Sequence, residues 1–176
     1  MTKTNEKEIV EIANRTVGRF IKLWKKNPYL WDTEADIHGE LYVMIKSALK
    51  RKGLIRGCYK EYMDRKEYFS RVYCKPLTHI GKNKKYYPDI VIYEKLTFKN
   101  KDEINEPMLW VCEIKYKTQW GGDQSLENRN YDKTKLRKLL RQRNSKIKGA
   151  KYAYVLHFFR YEHIKKDPEF KSVSLE

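Results

Sequence analysis

Cysteine is scarce in this sequence, and its scarcity excludes several kinds of site. The only cysteines in the 176 residues are Cys58, Cys74 and Cys112. An odd number of widely spaced cysteines makes neither a disulfide framework nor a C-x-x-C zinc site. Three thiols also cannot ligate an iron–sulfur cluster that needs four. Because Cys74 and Cys112 fall in predicted strands, we expect them to be buried thiols.

Long apolar runs and several familiar motifs are also missing. No segment approaches the ~18 apolar residues of a membrane-spanning helix, and residues 1–8 lack the apolar stretch of a signal peptide. We therefore expect a cytoplasmic protein without a membrane partner. Neither a Walker-type phosphate loop nor a Gly-x-Ser-x-Gly elbow occurs, which argues against ATP-driven activity and that type of serine nucleophile. The histidines are too scattered for a histidine-metal nuclease motif: His38, His79, His157 and His163.

Acidic residues are in the minority. The chain carries 39 lysines and arginines against 23 aspartates and glutamates, which gives a formal net charge of +16. Such an excess favours a polyanionic partner, because phosphate contacts supply most of the affinity for a nucleic acid. The basic residues are concentrated at 46–56, 82–85 and 133–148. Solubility explains one such cluster equally well, but three clusters beside an acidic motif favour nucleic-acid binding.

That acidic motif lies on two predicted strands. Residues 87–93 and 110–116 are rich in β-branched and aromatic side chains and are separated by a polar turn, which is typical of a hairpin. Side chains alternate along a strand, so Glu113 and Lys115 share one face. Pairing of the two strands would bring Asp89 beside them. The sequence therefore predicts two carboxylates and one ammonium group at a single place.

This combination of groups suits metal-assisted hydrolysis of a phosphodiester. The carboxylates of Asp89 and Glu113, the backbone carbonyl of Ile114 and several waters would form an oxygen cage for Mg²⁺, with Mn²⁺ as the other candidate. A bound metal lowers the pKa of its water and neutralises charge on a phosphoryl oxygen. Lys115 would orient that water or stabilise the charge of the transition state.

Pro88-Asp89 followed by Glu113-Ile114-Lys115 resembles the PD-(D/E)xK signature of nucleases with the restriction-endonuclease-like fold. The resemblance covers about residues 33–159 and rests on a few side chains. It implies an α/β core of helix, three strands, helix and strand, with a mixed sheet flanked by helices. It further implies a Mg²⁺-dependent deoxyribonuclease, preferentially an endonuclease, with Asp89, Glu113 and Lys115 as catalytic residues. Many members of this family act as dimers, so a homodimer is one expected assembly.

The first helix of the core supplies one further carboxylate. A helix is predicted from Thr33 to Lys52, with an N-terminal cap at its start and Gly53 at its end. On it, Glu34 lies about 30° from the centre of the apolar stripe and Glu40 about 90° away. In the resembling family a glutamate from this helix joins the metal cluster, which makes Glu34 the first choice and Glu40 the second. The alternative is that Glu34 only complements the helix dipole.

The remaining elements are assigned from their apolar periodicity and polar breaks. We expect one domain spanning residues 1–176, with the nuclease core at 33–159 between an extra helix and a polar tail. The predicted elements are an amphipathic helix at 6–26 within an N-terminal segment 1–28, a first core strand at 66–76, a basic loop at 77–86, a polar stretch at 119–130, a basic helix at 131–143, a central strand at 151–159 and a loosely held tail at 160–176.

Two of these elements are expected to hold phosphates. They are the basic loop and the basic helix, and the residues assigned to DNA binding are Lys84, Lys85, Lys135, Arg137, Lys138 and Arg141. Two other interpretations stay open. The protein could bind nucleic acid on the same fold without cutting it. Alternatively, Glu113 and Lys115 could be an exposed structural charge pair, which predicts that Asp89 lies far from Glu113.

Overall fold

The structure is a computed structural model, and its elements form an α/β arrangement. Residues described are 3–55, 58–62, 65–76, 78–80, 84–98, 107–118, 124–144, 149–160 and 167–175. The helices are α1 (Lys3–Lys26), α2 (Glu34–Arg51) and α3 (Gln124–Asn144), with a 3-10 turn at Pro28–Leu30. The strands are β1 (Cys58–Tyr62), β2 (Arg65–Cys74), β3 (Thr78–Ile80), β4 (Lys84–Tyr86), β5 (Ile90–Phe98), β6 (Met108–Thr118), β7 (Ala150–Arg160) and β8 (Glu169–Ser172).

A six-stranded sheet in the order β1-β2-β5-β6-β7-β8 organises the fold. Its neighbouring strands are antiparallel except β6 and β7, which run parallel. A parallel pair needs a crossover connection, and α3 lies in that connection. Strands β3 and β4 form a separate two-stranded sheet. The predicted α/β class, with a mixed sheet flanked by helices, is confirmed.

Helices α1 and α2 cover one face of the sheet. Helix α2 begins with a capping box, in which the Thr33 hydroxyl accepts from the Asp36 amide and the Asp36 carboxylate accepts from the Thr33 amide. It is followed by Gly53, whose φ of 68° is the left-handed value that glycine adopts at little cost. The side chains at the centre of this layer are fully buried: Ile9, Ala13, Val17, Phe20, Ile37, Leu41, Ile45 and Leu49. The predicted packing of the N-terminal helix on the core is confirmed.

Helix α3 covers the other face of the sheet through a narrower apolar strip. Leu136 and Leu139 pack with Val111 of β6 and Val155 of β7. On β6 the neighbouring residue Cys112 instead belongs to the core beneath α1 and α2. From Val111 onward, this alternation directs the odd-numbered residues of β6, including those of the predicted motif, toward the α3 side.

Gly149 marks a close approach between α3 and the start of β7. A Cβ atom at this position would overlap the Leu139 carbonyl oxygen and the Arg143 amide nitrogen. The Gly149 carbonyl also accepts a hydrogen bond of 3.0 Å from the Met108 amide, at the start of β6. A residue without a side chain is therefore what allows α3 to close down on the sheet.

Several predicted boundaries are corrected. Residues 77–86 are not simply a loop, because they contain β3 and β4. Each of these strands has three residues, which is too short to show a period, although Tyr86 is buried. Helix α3 begins at Gln124 rather than at residue 131, since polar helix formers extend it without an apolar stripe.

The predicted tail likewise contains an element. Strand β8 pairs antiparallel with β7, so the expectation of a loosely held tail is wrong for Glu169–Ser172. Phe170 stacks on Tyr154 with their ring centroids 5.1 Å apart, and this ring contact holds a strand that has too few apolar residues to be recognised. Strand β7 is consequently second from the edge of the sheet. Strand β1 was not predicted.

Candidate active site

A cleft of about 310 Å³ lies where α2, α3 and strands β5 and β6 meet. Its lining is dominated by charged side chains. The carboxylates are Glu34, Asp89, Glu113 and Asp132, the ammonium groups are Lys75, Lys85, Lys115 and Lys135, and Tyr86 and Tyr87 complete the wall. The structure thus brings together the four side chains that the motif analysis assigned to catalysis. An exposed charge pair with a distant Asp89 is excluded.

Asp89 stands immediately before β5 and is 4% exposed. The Ile114 amide donates a hydrogen bond of 2.7 Å to its Oδ2 atom, which ties β6 to the start of β5. Burial raises the pKa of Asp89, but His38, the Ile114 amide and Lys115 outweigh burial, and the net pKa lies below its ordinary value. Asp89 is therefore held ionised. Ile114 supplies an amide here, and the metal role predicted for its carbonyl stays a prediction.

Lys75 approaches Asp89 from the end of β2. Its amide donates a hydrogen bond of 3.0 Å to the Asp89 carbonyl, and its Nζ atom lies 3.9 Å from Asp89 Oδ1. Lys75 has a φ of 48°, a left-handed conformation that is unfavourable for a residue with a Cβ atom. Such strain clusters at functional sites, and here it places a cation on the rim of the cleft.

Glu113 is 4% exposed and projects toward the same cleft. The Tyr86 hydroxyl donates a hydrogen bond to its Oε1 atom. Burial and the charge of Asp89 raise the pKa of Glu113 well above its ordinary value, against the lowering effect of Tyr86. Two carboxylates at close quarters do not both ionise easily unless positive charge is supplied. A divalent cation supplies that charge, so the carboxylate pair fits a metal site.

Lys115 lies between two carboxylates at the mouth of the cleft. Its Nζ atom is 3.8 Å from Glu34 Oε1 and 3.5 Å from Asp132 Oδ2. Burial lowers the pKa of Lys115, but the carboxylates around it raise the pKa further, and the net shift is upward. The side chain therefore carries its positive charge, in a position set by α2 on one side and α3 on the other.

The choice between the two helix glutamates follows from their positions. The Tyr116 amide donates to Glu34 Oε2 over 3.3 Å, which directs Glu34 into the cleft from the first turn of α2. Glu40 is exposed and does not line the cleft. Glu34 is therefore the helix carboxylate placed to act with Asp89.

His38, which is 2% exposed on α2, lies in the cleft region but is not part of the predicted motif. Its Nε2 atom lies 3.4 Å from Asp89 Oδ2 and 3.8 Å from Glu34 Oε1. The three potential ligand atoms all lie within 4.8 Å of one another. Nε2 is buried and has no well-aligned hydrogen bond among the described residues, so the Asp89 carboxylate is its close polar neighbour and a bound metal would satisfy both groups. Two carboxylates and an imidazole are donors suited to a divalent metal, and Mn²⁺ accepts imidazole more readily than Mg²⁺ does.

Asp132 was also missed, although it is 4% exposed and touches Lys115. It lies one helical turn before Leu136, on the buried side of α3, and Lys135 Nζ is 3.2 Å from its Oδ1 atom. The sequence signal that could have identified Asp132 and His38 is their position in the helical repeat. Asp132 occupies the apolar stripe of its helix, and His38 follows Glu34 by four residues on the same face of α2.

The residues assigned to DNA binding divide between two locations. Lys85 and Lys135 line the cleft. Lys138 and Arg141 are exposed on α3 outside the cleft lining, and Arg137 donates a hydrogen bond of 3.3 Å to the Ser174 carbonyl. The side chain of Lys84 is outside the described part of the chain. The basic helix is thus present, but the cleft receives only one of its predicted phosphate-binding residues.

Comparison with models of known protein families, with curated proteins and with solved structures finds no match for this chain. No helix in the described segments is long and apolar enough to cross a membrane. The cleft combines clustered oxygen and nitrogen donors, one half-buried lysine at its mouth and a rim of further cations. That combination suits an anionic substrate that reacts at a phosphorus centre.

Proposed function

We propose that this protein is a divalent-metal-dependent nuclease that hydrolyses phosphodiester bonds, with DNA as the expected substrate and endonucleolytic cleavage as the expected mode. The observation that carries the proposal is the convergence of Glu34, Asp89, Glu113 and Lys115 on one cleft. These residues come from three separate segments, and a charge pattern with only a structural role would not require them to meet.

The order of elements supports the same proposal. Helix α2, strands β2, β5 and β6, helix α3 and strand β7 follow the order implied by the resemblance to PD-(D/E)xK nucleases. Asp89 precedes β5, and the Ile90–Cys112 register places it next to Glu113 on the neighbouring strand. We therefore propose a restriction-endonuclease-like core, extended by α1, β1, the β3–β4 hairpin and β8.

The metal would be held by residues from two elements. Glu34 and His38 would approach it from α2, and Asp89 from the start of β5, with Glu113 as the neighbouring carboxylate. When bound, Mg²⁺ or Mn²⁺ supplies a water of lowered pKa and positive charge beside the phosphoryl oxygens. Tyr86 orients Glu113 by donating a hydrogen bond to it.

The lysines of the cleft have two different roles in the proposed reaction. Lys115 is held between Glu34 and Asp132, where it orients the attacking water or stabilises the developing phosphoryl charge. Lys85 and Lys135 line the cleft and would contact phosphates of the bound strand. Tyr87 is 52% exposed on the rim, and its ring offers a surface on which a base can stack.

The direct test is cleavage of a substrate panel by the purified protein. Supercoiled plasmid, linear duplex, single strand, flap, four-way junction and RNA would each be incubated with Mg²⁺, Mn²⁺ or EDTA. We expect cleavage of at least one DNA substrate with a metal and none with EDTA. DNA binding without cleavage of any substrate would contradict the proposal and favour a non-cleaving nucleic-acid-binding protein.

Replacing Glu34 by glutamine is expected to lower the cleavage rate at least about tenfold. The change removes a carboxylate charge that would bind the metal and that also pairs with Lys115. Glu40→Gln is the matched control, since it makes the same change on the exposed side of the same helix. Initial rates of plasmid nicking measure both variants. Equal rates for Glu34→Gln and wild type would remove Glu34 from the site.

Replacing His38 by glutamine is expected to weaken binding of Mn²⁺ by about tenfold or more, and to weaken Mg²⁺ binding less, since imidazole is the softer donor of the set. Calorimetric titration of the metal into the protein without DNA measures this directly. His157→Gln is a suitable control because His157 is a similarly buried histidine that does not line the cleft. Unchanged affinity for both metals in His38→Gln would show that His38 is not a ligand.

A further inference from the structure

A second recess, separate from the cleft, lies between α1 and α2. It encloses about 320 Å³, and Ile12 and Ala48 give it an apolar floor. Four cationic side chains line it: Arg15 and Arg19 of α1, Arg51 at the end of α2, and Lys52 immediately after it. Among the described residues, no carboxylate lines the recess. The motif and the proposed function account for none of these residues.

The four cations are free to meet a ligand. None of the ion pairs or ring contacts among the described residues involves them, and all four are exposed. Arg15 and Arg19 are four residues apart, so they project from the same face of α1. Helix α1 thus contributes one pair of positive charges to a shared groove, and the end of α2 with the residue after it contributes the other pair. Such a groove selects an anion, and its apolar floor offers no groups that would distinguish one base from another.

We propose that this recess binds backbone phosphates of the nucleic acid that occupies the cleft, independently of base sequence. The inference rests on the proposed function for its choice of polyanion. The formal charge of +16 makes a polyanion the expected partner. A recessed groove between two helices fits a nucleic-acid backbone better than it fits a flat membrane surface. Bidentate arginine–phosphate contacts would supply the affinity.

Helix α2 fixes the separation between the two sites. Glu34, its first residue, lines the cleft, and Arg51, its last residue, lines the recess. The 18 residues of the helix rise about 1.5 Å each, so the sites are about 25 Å apart along the helix axis. One strand of a duplex advances about 3.4 Å per phosphate, so about eight nucleotides separate them. Only a substrate longer than this can fill both sites.

The test measures how the loss of positive charge from the recess changes the affinity for DNA of two lengths. The double variant Arg15→Gln/Arg51→Gln removes one cation from each helix wall. Its matched control is Lys22→Gln/Lys50→Gln, which removes one exposed cation from each of the same helices but none from the recess. Affinity is measured in Ca²⁺, to avoid turnover, for a hairpin with a stem of about six base pairs and a duplex of about 20 base pairs, across a range of salt concentrations.

We expect the recess variant to bind the longer duplex at least about tenfold more weakly, with a salt slope reduced by about two units, and to bind the short hairpin like wild type. The control should behave like wild type on both. Wild-type affinity of the recess variant for the longer duplex would overturn the proposal, and so would equal losses on the two lengths.

Two further measurements separate this proposal from its alternatives. Vesicles of phosphatidylserine and phosphatidylcholine test a membrane surface as the occupant. Loss of vesicle binding in the recess variant, with unchanged binding of duplex, would overturn the nucleic-acid assignment. Plasmid cleavage tests the nuclease proposal independently. If wild type cuts nothing but the length-dependent loss is observed, the nuclease function fails and the recess assignment stands.

Discussion

Lys115→Ala is expected to lower the rate of phosphodiester cleavage by about 10²–10³-fold while changing DNA affinity little. Lys115 Nζ lies 3.8 Å from Glu34 and 3.5 Å from Asp132, and surrounding carboxylates keep it charged. A charge fixed beside the reacting phosphate interacts more strongly with the transition state than with the bound substrate. Its loss should therefore appear in the chemical step.

Two measurements separate these effects. Single-turnover cleavage in Mg²⁺ reports the chemical step, and titration of labelled DNA in Ca²⁺ reports affinity. Lys138→Ala is the matched control, because Lys138 is an exposed lysine on α3 that does not line the cleft. We expect it to weaken binding slightly, with a flatter salt dependence, and to leave the single-turnover rate unchanged. If Lys115→Ala bound DNA much more weakly but kept the wild-type single-turnover rate at saturation, the assigned role would be wrong.

Asp89→Asn is expected to reduce cleavage by about 10³-fold or more and to abolish stabilisation of the fold by metal. Asp89 belongs to the Glu34–His38–Asp89 group, and an amide is a far weaker ligand for a divalent cation. Without metal the variant should be less stable than wild type, because favourable interactions with His38 and Lys115 hold the pKa of Asp89 below its ordinary value and are lost with the charge. The amide oxygen can still accept from the Ile114 amide, which limits the loss.

Thermal unfolding with and without Mn²⁺ measures this expectation without any substrate. A metal that binds only the folded protein raises its free energy of unfolding, so wild type should melt higher as Mn²⁺ is added. Asp89→Asn should melt at the same temperature with Mn²⁺ as with EDTA. Asp167→Asn serves as the control, since Asp167 pairs with Lys25 on the surface, outside the cleft. A metal-induced shift of wild-type size in Asp89→Asn would place the metal elsewhere.

The parts of this structure that the sequence predicts are those with strong periodicity. Helix α2 was expected at 33–52 and occupies Glu34–Arg51, because a cap, an apolar stripe and a glycine all agree. Strand β7 was expected at 151–159 and occupies Ala150–Arg160, because its apolar run is nearly continuous. Alternation along β6 likewise predicted that Glu113 and Lys115 share a face.

Features that depend on tertiary contacts were missed. Strand β8 exists because Phe170 stacks on Tyr154 and because β7 offers it an edge, and neither condition is local. His38 and Asp132 are polar residues on apolar stripes, and only packing of α2 and α3 against opposite faces of the sheet brings both to one cleft. From one sequence alone, such a residue is hard to tell apart from an ordinary buried polar residue whose hydrogen bonds are satisfied.

Gly149 has a consequence for the width of the cleft. The absence of a side chain there lets the C-terminal half of α3 rest on the start of β7. A larger residue would push that half of α3 away from the sheet and tilt the whole helix. Asp132 lies about 15 Å further along α3, so a tilt of the helix would shift its carboxylate relative to Lys115. The distance between the Asp132 carboxylate and Lys115 thus depends on a glycine that does not line the cleft.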